Sequence, residues 1–567
     1  MISVSGKKWV EKKISKNSIE KIKQDFNFSE IVSKLIISRN FDYNEIYSIE
    51  NPPIIRNEFK NDKDFINASL LLEKSINEKE LICIFGDYDV DGSAATSLLA
   101  KFFDYIKHPY FFYIPDRERE GYGPSNSVFK KLILKKPKLI IMVDCGSTAN
   151  QSIAYLNDKQ IKSIIIDHHE INKPFPKSNV LINPKKNIND LSKEYYCATT
   201  LTYFFLEILI KKIKSSFDLS NYLIYVLLAL VCDVMPLRKI NRYIGLNIIQ
   251  DFKIKDNIVF KTLYELCNKK NNLTIEDLGF FIGPIINSGG RISDSRIAVD
   301  LLISENLNFV KTKSSELIKL NNIRKEIEKK ILNEINFEKL EKENKDVIIY
   351  YNSTIKEGLI GIIASRLKDY FNKPSIVITS SQNILKGSAR STINYDIGKV
   401  MNELLNNKVI EKGGGHNMAA GFSMKKNKLK NLINFILQDF ELKNKNFSLN
   451  NTYDAEISLS AINKDFINEI NKLGPFGNGN PIPTFLIKNL KIIKVKTINN
   501  KHINIIFKPK VGKSIKSICF NSINTQLGKY LLTYKKNLHV IAQIQENYWN
   551  NNKVLQLNIK DLLIELN

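Results

Sequence analysis

Paired cysteines are missing from this chain. Its six cysteines, Cys83, Cys145, Cys197, Cys232, Cys267 and Cys519, never fall in a CxxC spacing, and most sit in apolar runs. That pattern excludes a zinc ribbon and a disulfide framework and fits reduced thiols in a cytosolic protein. Membrane-spanning runs are missing too. The stretch Tyr222 to Val231 is apolar but too short to cross a bilayer and reads as a core helix, and Met1 to Lys13 has no apolar run of the signal-peptide kind. The Gly-Lys-Ser/Thr of a P-loop is absent as well. No solenoid repeat is visible. The expectation is a cytoplasmic, monomeric protein with no membrane partner.

Anionic side chains are in deficit: 59 Asp and Glu against 84 Lys and Arg leave a net charge of +25. The lysines are spread along the chain and form no tail. Part of this reflects a Lys/Asn/Ile-rich sequence style. A surface so basic also attracts nucleic acid through counterion release, although charge alone does not separate DNA from RNA or from a membrane surface.

Histidine is scarce, with six in 567 residues, yet two are adjacent in Asp167-His168-His169-Glu170, just after the apolar run Ile164-Ile165-Ile166. Two further apolar runs end in acidic residues. Leu81 to Phe85 leads into Gly86-Asp87-Tyr88-Asp89-Val90-Asp91-Gly92, and Leu139 to Val143 leads into Asp144-Cys145-Gly146. In open α/β sheets the carboxyl ends of the strands are where ligands bind. Alternate residues of an extended segment point to one side, so Asp87, Asp89 and Asp91 are able to converge, and converging carboxylates require a cation. Asp and His without cysteine suit Mn²⁺ or Mg²⁺. Asp233, closing the apolar run in Val231-Cys232-Asp233-Val234-Met235-Pro236, is a further candidate ligand. The constellation points to metal-assisted hydrolysis of a phosphoester.

At this length three or four domains are expected. The patterning divides the chain into an N-terminal helical segment (1–75), a parallel α/β domain (76–302), a long uninterrupted connecting helix (303–345), a smaller α/β domain (346–447) and a C-terminal β-barrel of OB type (448–567).

The four acidic motifs occur in the order of the DHH phosphoesterase superfamily, which the chain resembles over nearly its whole length. Within it, the resemblance is to the nucleases specific for single-stranded DNA. Ile114-Pro115-Asp116-Arg117-Glu118-Arg119-Glu120-Gly121-Tyr122-Gly123 is similar to the family's second motif, and Asn287-Ser288-Gly289-Gly290-Arg291 to its Asn-Ala-Ala-Gly-Arg segment. Gly387-Ser388-Ala389-Arg390-Ser391 and Gly414-Gly415-His416 resemble the DHHA1 domain, and Gly474-Pro475-Phe476-Gly477 the lead into the OB domain. One departure is Ile355-Lys356, where the family carries Trp-His before Glu357-Gly358.

The resemblance implies two divalent cations, Mn²⁺ or Mg²⁺. Asp144 would bridge them, Asp87 would hold one, and Asp89, His168 and Asp233 the other. Asp91 and His169 would act beside them as catalytic or outer-shell groups. Arg117, Asn287, Arg291, Ser388, Arg390 and His416 would bind substrate. The implied activity is 5′→3′ exonucleolytic hydrolysis of single-stranded DNA to mononucleotides, in repair and recombination, alongside a helicase and a single-strand-binding protein. Two alternatives are a DHH-type phosphodiesterase for short oligoribonucleotides or cyclic dinucleotides, and a DNA-binding scaffold with a decayed site. The OB-like region argues against the first, and the full set of five ligands against the second.

Overall fold

The computed structural model describes residues 2–51, 54–117, 119–187, 195–343, 345–381, 384–444, 450–534, 536–549 and 552–564. The chain divides into two compact units. One is Ile55–Met235 with Asn247–Asn446, and the other is Met1–Ile54 with Pro236–Leu246 and Phe447–Asn567.

The first unit holds two sheets. One is five-stranded and wholly parallel, in the order Tyr110–Tyr113, Ile82–Phe85, Leu139–Val143, Lys162–Ile166, Val180–Ile182. Every residue of Ile82–Phe85 and Leu139–Val143 is buried, because helices cover both faces; hence the unbroken apolar runs in the sequence. The helix Val90–Tyr105 is buried from Val90 to Phe103, and packs against Ala198–Lys212, Leu223–Cys232 and Arg296–Ile303. After Ile82–Phe85 the chain steps to one side of that strand, then crosses to the other for Leu139–Val143. Strand order reverses between these two neighbours, and a crevice opens at such a switch point.

The connecting helix, Leu307–Glu334, is 28 residues long and stops short of the expected 345. Ile335 is extended and buried with Ile331, Ile348 and Leu359, and Asn336 caps a new helix, Phe337–Lys342, by accepting from Lys339 N. A core isoleucine followed by an Asn cap ends the helix without Gly or Pro. The second sheet runs Lys412–His416, Ala419–Lys425, Ile384–Arg390, Ser375–Ser381, Ile348–Tyr351. It is antiparallel except for its last pair.

The second unit is a closed barrel. Strand Asn552–Ile564 pairs with Ile515–Cys519, which pairs with His502–Pro509, then Thr484–Ile498, then Leu538–Trp549, which returns to Asn552–Ile564. Its interior is filled by Phe485, Ile487, Ile503, Ile505, Phe507, Val540 and Leu557. The expected N-terminal helical segment 1–75 is not a separate element. Residues up to Ile54 belong to this barrel unit, whereas the helix Lys63–Asn77 belongs to the first unit. Ile2–Ser3 adds a strand to Asn552–Ile564, and Lys8–Glu11 pairs with Asn450–Tyr453. Val32, Leu35 and Ile36 join the barrel core. Asp561 accepts from Ser3 Oγ, Ser5 Oγ and Trp9 Nε1, each at 2.6 Å. Pairings across more than 500 residues carry no local sequence signal.

Candidate active site

The acidic cluster is built where strand order reverses. The chain turns so tightly after Ile82–Phe85 that a Cβ on Gly92 would lie 2.6 Å from the backbone of Asp87, so only glycine lets the helix start there. Asp89 caps that helix, accepting from Gly92 N at 3.1 Å, and Asp87 is buried beside it. On the neighbouring strands the ladder continues one residue further. Asp144 N donates to Ile166 O and Asp167 N to Ile182 O, both at 3.0 Å, so the sheet itself holds both acids. Asp144 takes φ 60°, a left-handed conformation that Asp tolerates better than most residues. Asp233 closes the helix Leu223–Cys232, and Val234 after it has φ 55°. A β-branched residue held there stores roughly 1–3 kcal/mol of strain, which is typical of functional turns.

These side chains converge. His168 Nε2 lies 3.3 Å from Asp144 Oδ1, 3.5 Å from Asp233 Oδ2 and 3.7 Å from Asp91 Oδ2. Three sets of ligand atoms lie mutually within 4.8 Å: Asp87, Asp89 and Asp144; Asp91, His168 and Asp233; Asp144, His168 and His169. Asp144 joins the first set to the third. The grouping differs from the expected division in two respects: His169 joins Asp144 and His168, and the carboxylates of Asp89 and Asp91 exchange places. Asp89 groups with Asp87, and Asp91 takes its place with His168 and Asp233. The reason for the exchange lies 108 residues away, at the start of the helix Ala198–Lys212. There Ala198 N (2.7 Å), Thr199 N (2.8 Å) and Thr199 Oγ1 (2.6 Å) donate to the Asp91 carboxylate and turn it toward His168.

Asp87 Oδ1, Asp144 Oδ1 and His168 Nε2 are buried with no hydrogen-bond partner. Leaving such atoms unsatisfied costs roughly 1–3 kcal/mol each, more where charge is involved. Burial, and then repulsion from neighbouring carboxylates, pushes the carboxyls of Asp87, Asp91, Asp144 and Asp233 above the usual range. Burial, and then His169, pushes His168 down, leaving a neutral imidazole fit to donate a lone pair. Hard oxygens, one neutral imidazole and three orphaned atoms in one place fit divalent cations of the Mn²⁺ or Mg²⁺ kind.

Asp167 organises the histidine pair. It accepts from Ser147 N (3.0 Å), His168 N (2.8 Å) and His169 N (3.2 Å), and its Oδ1 lies 2.8 Å from His169 Nδ1. Burial alone would lower the pKa of His169; the charge of Asp167 outweighs it and raises it to about 9. Burial would likewise raise Asp167, and His169 holds it low instead. Tyr122 Oη donates to Asp144 O at 3.2 Å and lies 3.1 Å from His169 Nδ1.

The cationic side chains come from the loop after Tyr110–Tyr113 (Arg117), the short helix Ser288–Ile292 (Arg291) and the strand Ile384–Arg390 (Arg390). The Arg117 guanidinium lies 4.8 Å from the centre of the Tyr88 ring, with its Nε unpartnered; Glu118 of the same motif lies outside the described residues. Arg291 donates to Gly358 O at 3.2 Å. A Cβ on Gly358 would meet Arg291 O at 2.2 Å, so the helix Glu357–Phe371 starts directly on the Arg291 backbone. Arg390 donates to Ser388 Oγ (3.1 Å) and Ala389 O (2.8 Å). Arg291 and Arg390 are pushed down to about 10, by burial and then by Arg117. Three guanidiniums that close repel each other unless an anion joins them. The His416 ring stands 6.5 Å from that of His168 and 6.3 Å from that of His169. Asn287 ends the short helix Gly283–Ile286, and among the described residues no side-chain hydrogen bond joins it to the carboxylates or the arginines. Lys356 is the exposed residue before the helix Glu357–Phe371. Tyr122 and Asp167, quoted in the motifs, had no expected role. Thr199 had no local signal at all.

Three domain families match the sequence: the N-terminal domain of the DHH family over residues 81–230, the DHHA1 domain over 344–442 and the RecJ OB domain over 453–561. Among curated relatives, the single-stranded-DNA-specific exonuclease RecJ of Bacillus subtilis is 27% identical, over 99% of this chain and 71% of its own length. The protein of the same name from Haemophilus influenzae is 29% identical, over 86% and 88%. Among solved structures, RecJ in complex with Mn²⁺ from Thermus thermophilus superposes with a TM-score of 0.81 at 19% identity, over 99% of this chain and 80% of that one. An exonuclease RecJ bound to manganese gives 0.56 at 24% identity, over 68% and 95%.

Proposed function

The chain belongs to the RecJ family of DHH phosphoesterases, and from that premise we propose that it is a metal-dependent exonuclease that hydrolyses single-stranded DNA from the 5′ end to mononucleotides. The observation that carries this reading is the convergence of three orphaned buried atoms, Asp87 Oδ1, Asp144 Oδ1 and His168 Nε2, at the switch point of a parallel sheet.

In this reading Asp87, Asp89 and Asp144 would hold one divalent ion, and Asp91, His168 and Asp233 would hold a second. When bound, the ions supply Lewis-acid neutralisation of the phosphate and lower the pKa of a coordinated water. The protein's own residues do the rest. Asp167 fixes the ring of His169 through Nδ1 and favours its protonated form beside Asp144. Arg117, Arg291 and Arg390 bind phosphate oxygens, with Ser388 supplying a hydroxyl. Guanidinium forks match that geometry as ammonium groups do not. A strand end carries a terminal phosphate with extra charge, so a cluster of three arginines selects an end over an internal linkage.

The barrel supports a single-strand substrate over a dinucleotide. In it Lys491 lies opposite Lys508 in register, both exposed. Directly opposed like charges destabilise a sheet and are relieved by a polyanion. The reading extends to a cytoplasmic monomer working with a helicase and a single-strand-binding protein. The test is nucleotide release from 5′-labelled single strands and from blunt duplex, with Mn²⁺ or Mg²⁺ and then EDTA. Release from single strands only, abolished by EDTA, is expected. Release from blunt duplex at the same rate, or activity that survives EDTA, would overturn it.

A further inference from the structure

Glu170 follows the histidine pair directly, and a carboxylate there is out of place. It stands beside His416 and the histidine pair, at a site proposed to take a polyanion, where a negative charge repels substrate. Its surroundings give it a different task. Glu170 Oε1 lies 2.8 Å from Lys185 Nζ and 3.6 Å from His416 Nδ1. Lys185 is only 16% exposed and is itself held in place. Its backbone N donates to Asn183 Oδ1 (2.8 Å), and Asn183 Nδ2 donates to Ser147 Oγ (2.7 Å) and His169 O (3.0 Å). The Glu170–Lys185 pair is therefore anchored to the backbone of the histidine loop.

His416 comes from the other sheet, at the end of strand Lys412–His416. Its backbone is clamped, since a Cβ on Gly398 would meet His416 C and O at 2.9 Å. Its side chain is 46% exposed, and among the described residues Glu170 is the one carboxylate within ion-pair distance of it. Without Glu170 the ring is free to turn to solvent about its own side-chain torsions, away from the metal cluster.

We propose that Glu170 is a positioning residue: tethered by Lys185, it holds the His416 imidazole over the carboxylate–histidine cluster and acts on hydrolysis through that ring. The proposal rests on the exonuclease reading above. It makes an unusual demand on kinetics. Removing the charge of Glu170 lowers kcat because His416 is released, yet does not raise KM because an anion has left a polyanion's path.

The experiment compares Glu170→Gln, His416→Ala and the double variant with the unaltered chain, on a 5′-phosphorylated single-stranded oligonucleotide with Mn²⁺, under single- and multiple-turnover conditions. Oligonucleotide binding in EDTA is measured alongside by fluorescence anisotropy. Glu170→Gln is expected to lower kcat about 10- to 100-fold, the range for a lost outer partner of a site imidazole, with KM and oligonucleotide affinity unchanged or improved. In the His416→Ala background the same change should have no further effect. Normal kcat in Glu170→Gln, a rise in KM, or an undiminished effect in the His416→Ala background would each overturn the proposal. Absence of nucleotide release by the unaltered chain would instead overturn the exonuclease reading.

Discussion

Thr199 holds Asp91 twice: its backbone N donates to Asp91 Oδ1 at 2.8 Å and its hydroxyl donates to the same oxygen at 2.6 Å. The rest of the Asp91 carboxylate is turned toward His168. Thr199→Val keeps the shape and removes the hydroxyl donor. We expect Mn²⁺ affinity to fall about 10- to 100-fold, as for other lost partners of a metal ligand, with the circular dichroism unchanged. Calorimetric titration of the variant with Mn²⁺ checks this, and unchanged affinity would mean that Asp91 needs no such support.

Asp144 belongs to two of the three ligand sets and has φ 60°. Alanine at that conformation would add backbone strain, so Asp144→Asn is the cleaner probe. Losing the shared carboxylate should reduce turnover by at least ~10³-fold, the scale of a lost electrostatic stabiliser. Substantial turnover by a folded variant would rule out a shared ligand.

The carboxyls of Asp87, Asp91, Asp144 and Asp233 are raised, first by burial. A carboxyl raised on folding stabilises the fold below its unfolded value, about 3.9 for Asp, and loses that contribution as pH climbs through the folded value. In EDTA the Tm should therefore decline as pH rises above that unfolded value. Mn²⁺ or Mg²⁺ should offset the decline, because binding takes the place of protons. Thermal melts across pH, with and without the ion, should show a metal-dependent gain in Tm that grows with pH; a gain independent of pH counts against the cluster.

Arg390 stands among three guanidiniums and donates to Ser388 Oγ. Arg390→Ala should cost roughly 1.5–3 kcal/mol of charge-assisted contact on 5′-phosphorylated strands, and should narrow the preference over 5′-hydroxyl strands. Equal losses on both ends would make Arg390 a general phosphate contact and not the end reader.

In the barrel, replacing Lys491 and Lys508 by alanine removes two facing charges. The slope of log affinity against log salt for long single strands should fall by about 1.4, from roughly 0.7 per phosphate contact. An unchanged slope would place DNA on another face of the barrel. Point substitution is preferable to deleting residues after 449. Val32, Leu35 and Ile36 share the barrel core and would be stripped of their cover.

The strands Ile82–Phe85, Leu139–Val143 and Lys162–Ile166 were legible because burial on both faces leaves apolar runs, wholly so in the first two and as Ile164–Ile166 in the third, and because the acid or imidazole each delivers follows within two residues. That carboxylates and imidazoles gather at one sheet edge could be read for the same reason. How they group there could not. Whether Asp89 or Asp91 turns toward His168 depends on Thr199, a residue that meets Asp91 only once the helix Ala198–Lys212 packs on the first turn of Val90–Tyr105. The end of the connecting helix was not legible, because an Asn cap and a buried isoleucine stop it, and neither stands out as Gly or Pro would.

The pairing of Ile2–Ser3 with Asn552–Ile564 also has a consequence for biosynthesis. During translation the sheet around Asp144 is complete once Val180–Ile182 has emerged, and its contacts are sequential enough to form early. Residues 2–51 have no such option. Their apolar faces wait for barrel residues made more than 400 residues later, such as Ala455, Phe485 and Leu557, so this segment is buried long after it is made. That interval is when the nascent chain is most open to aggregation and to proteases, and when a chaperone has most to protect.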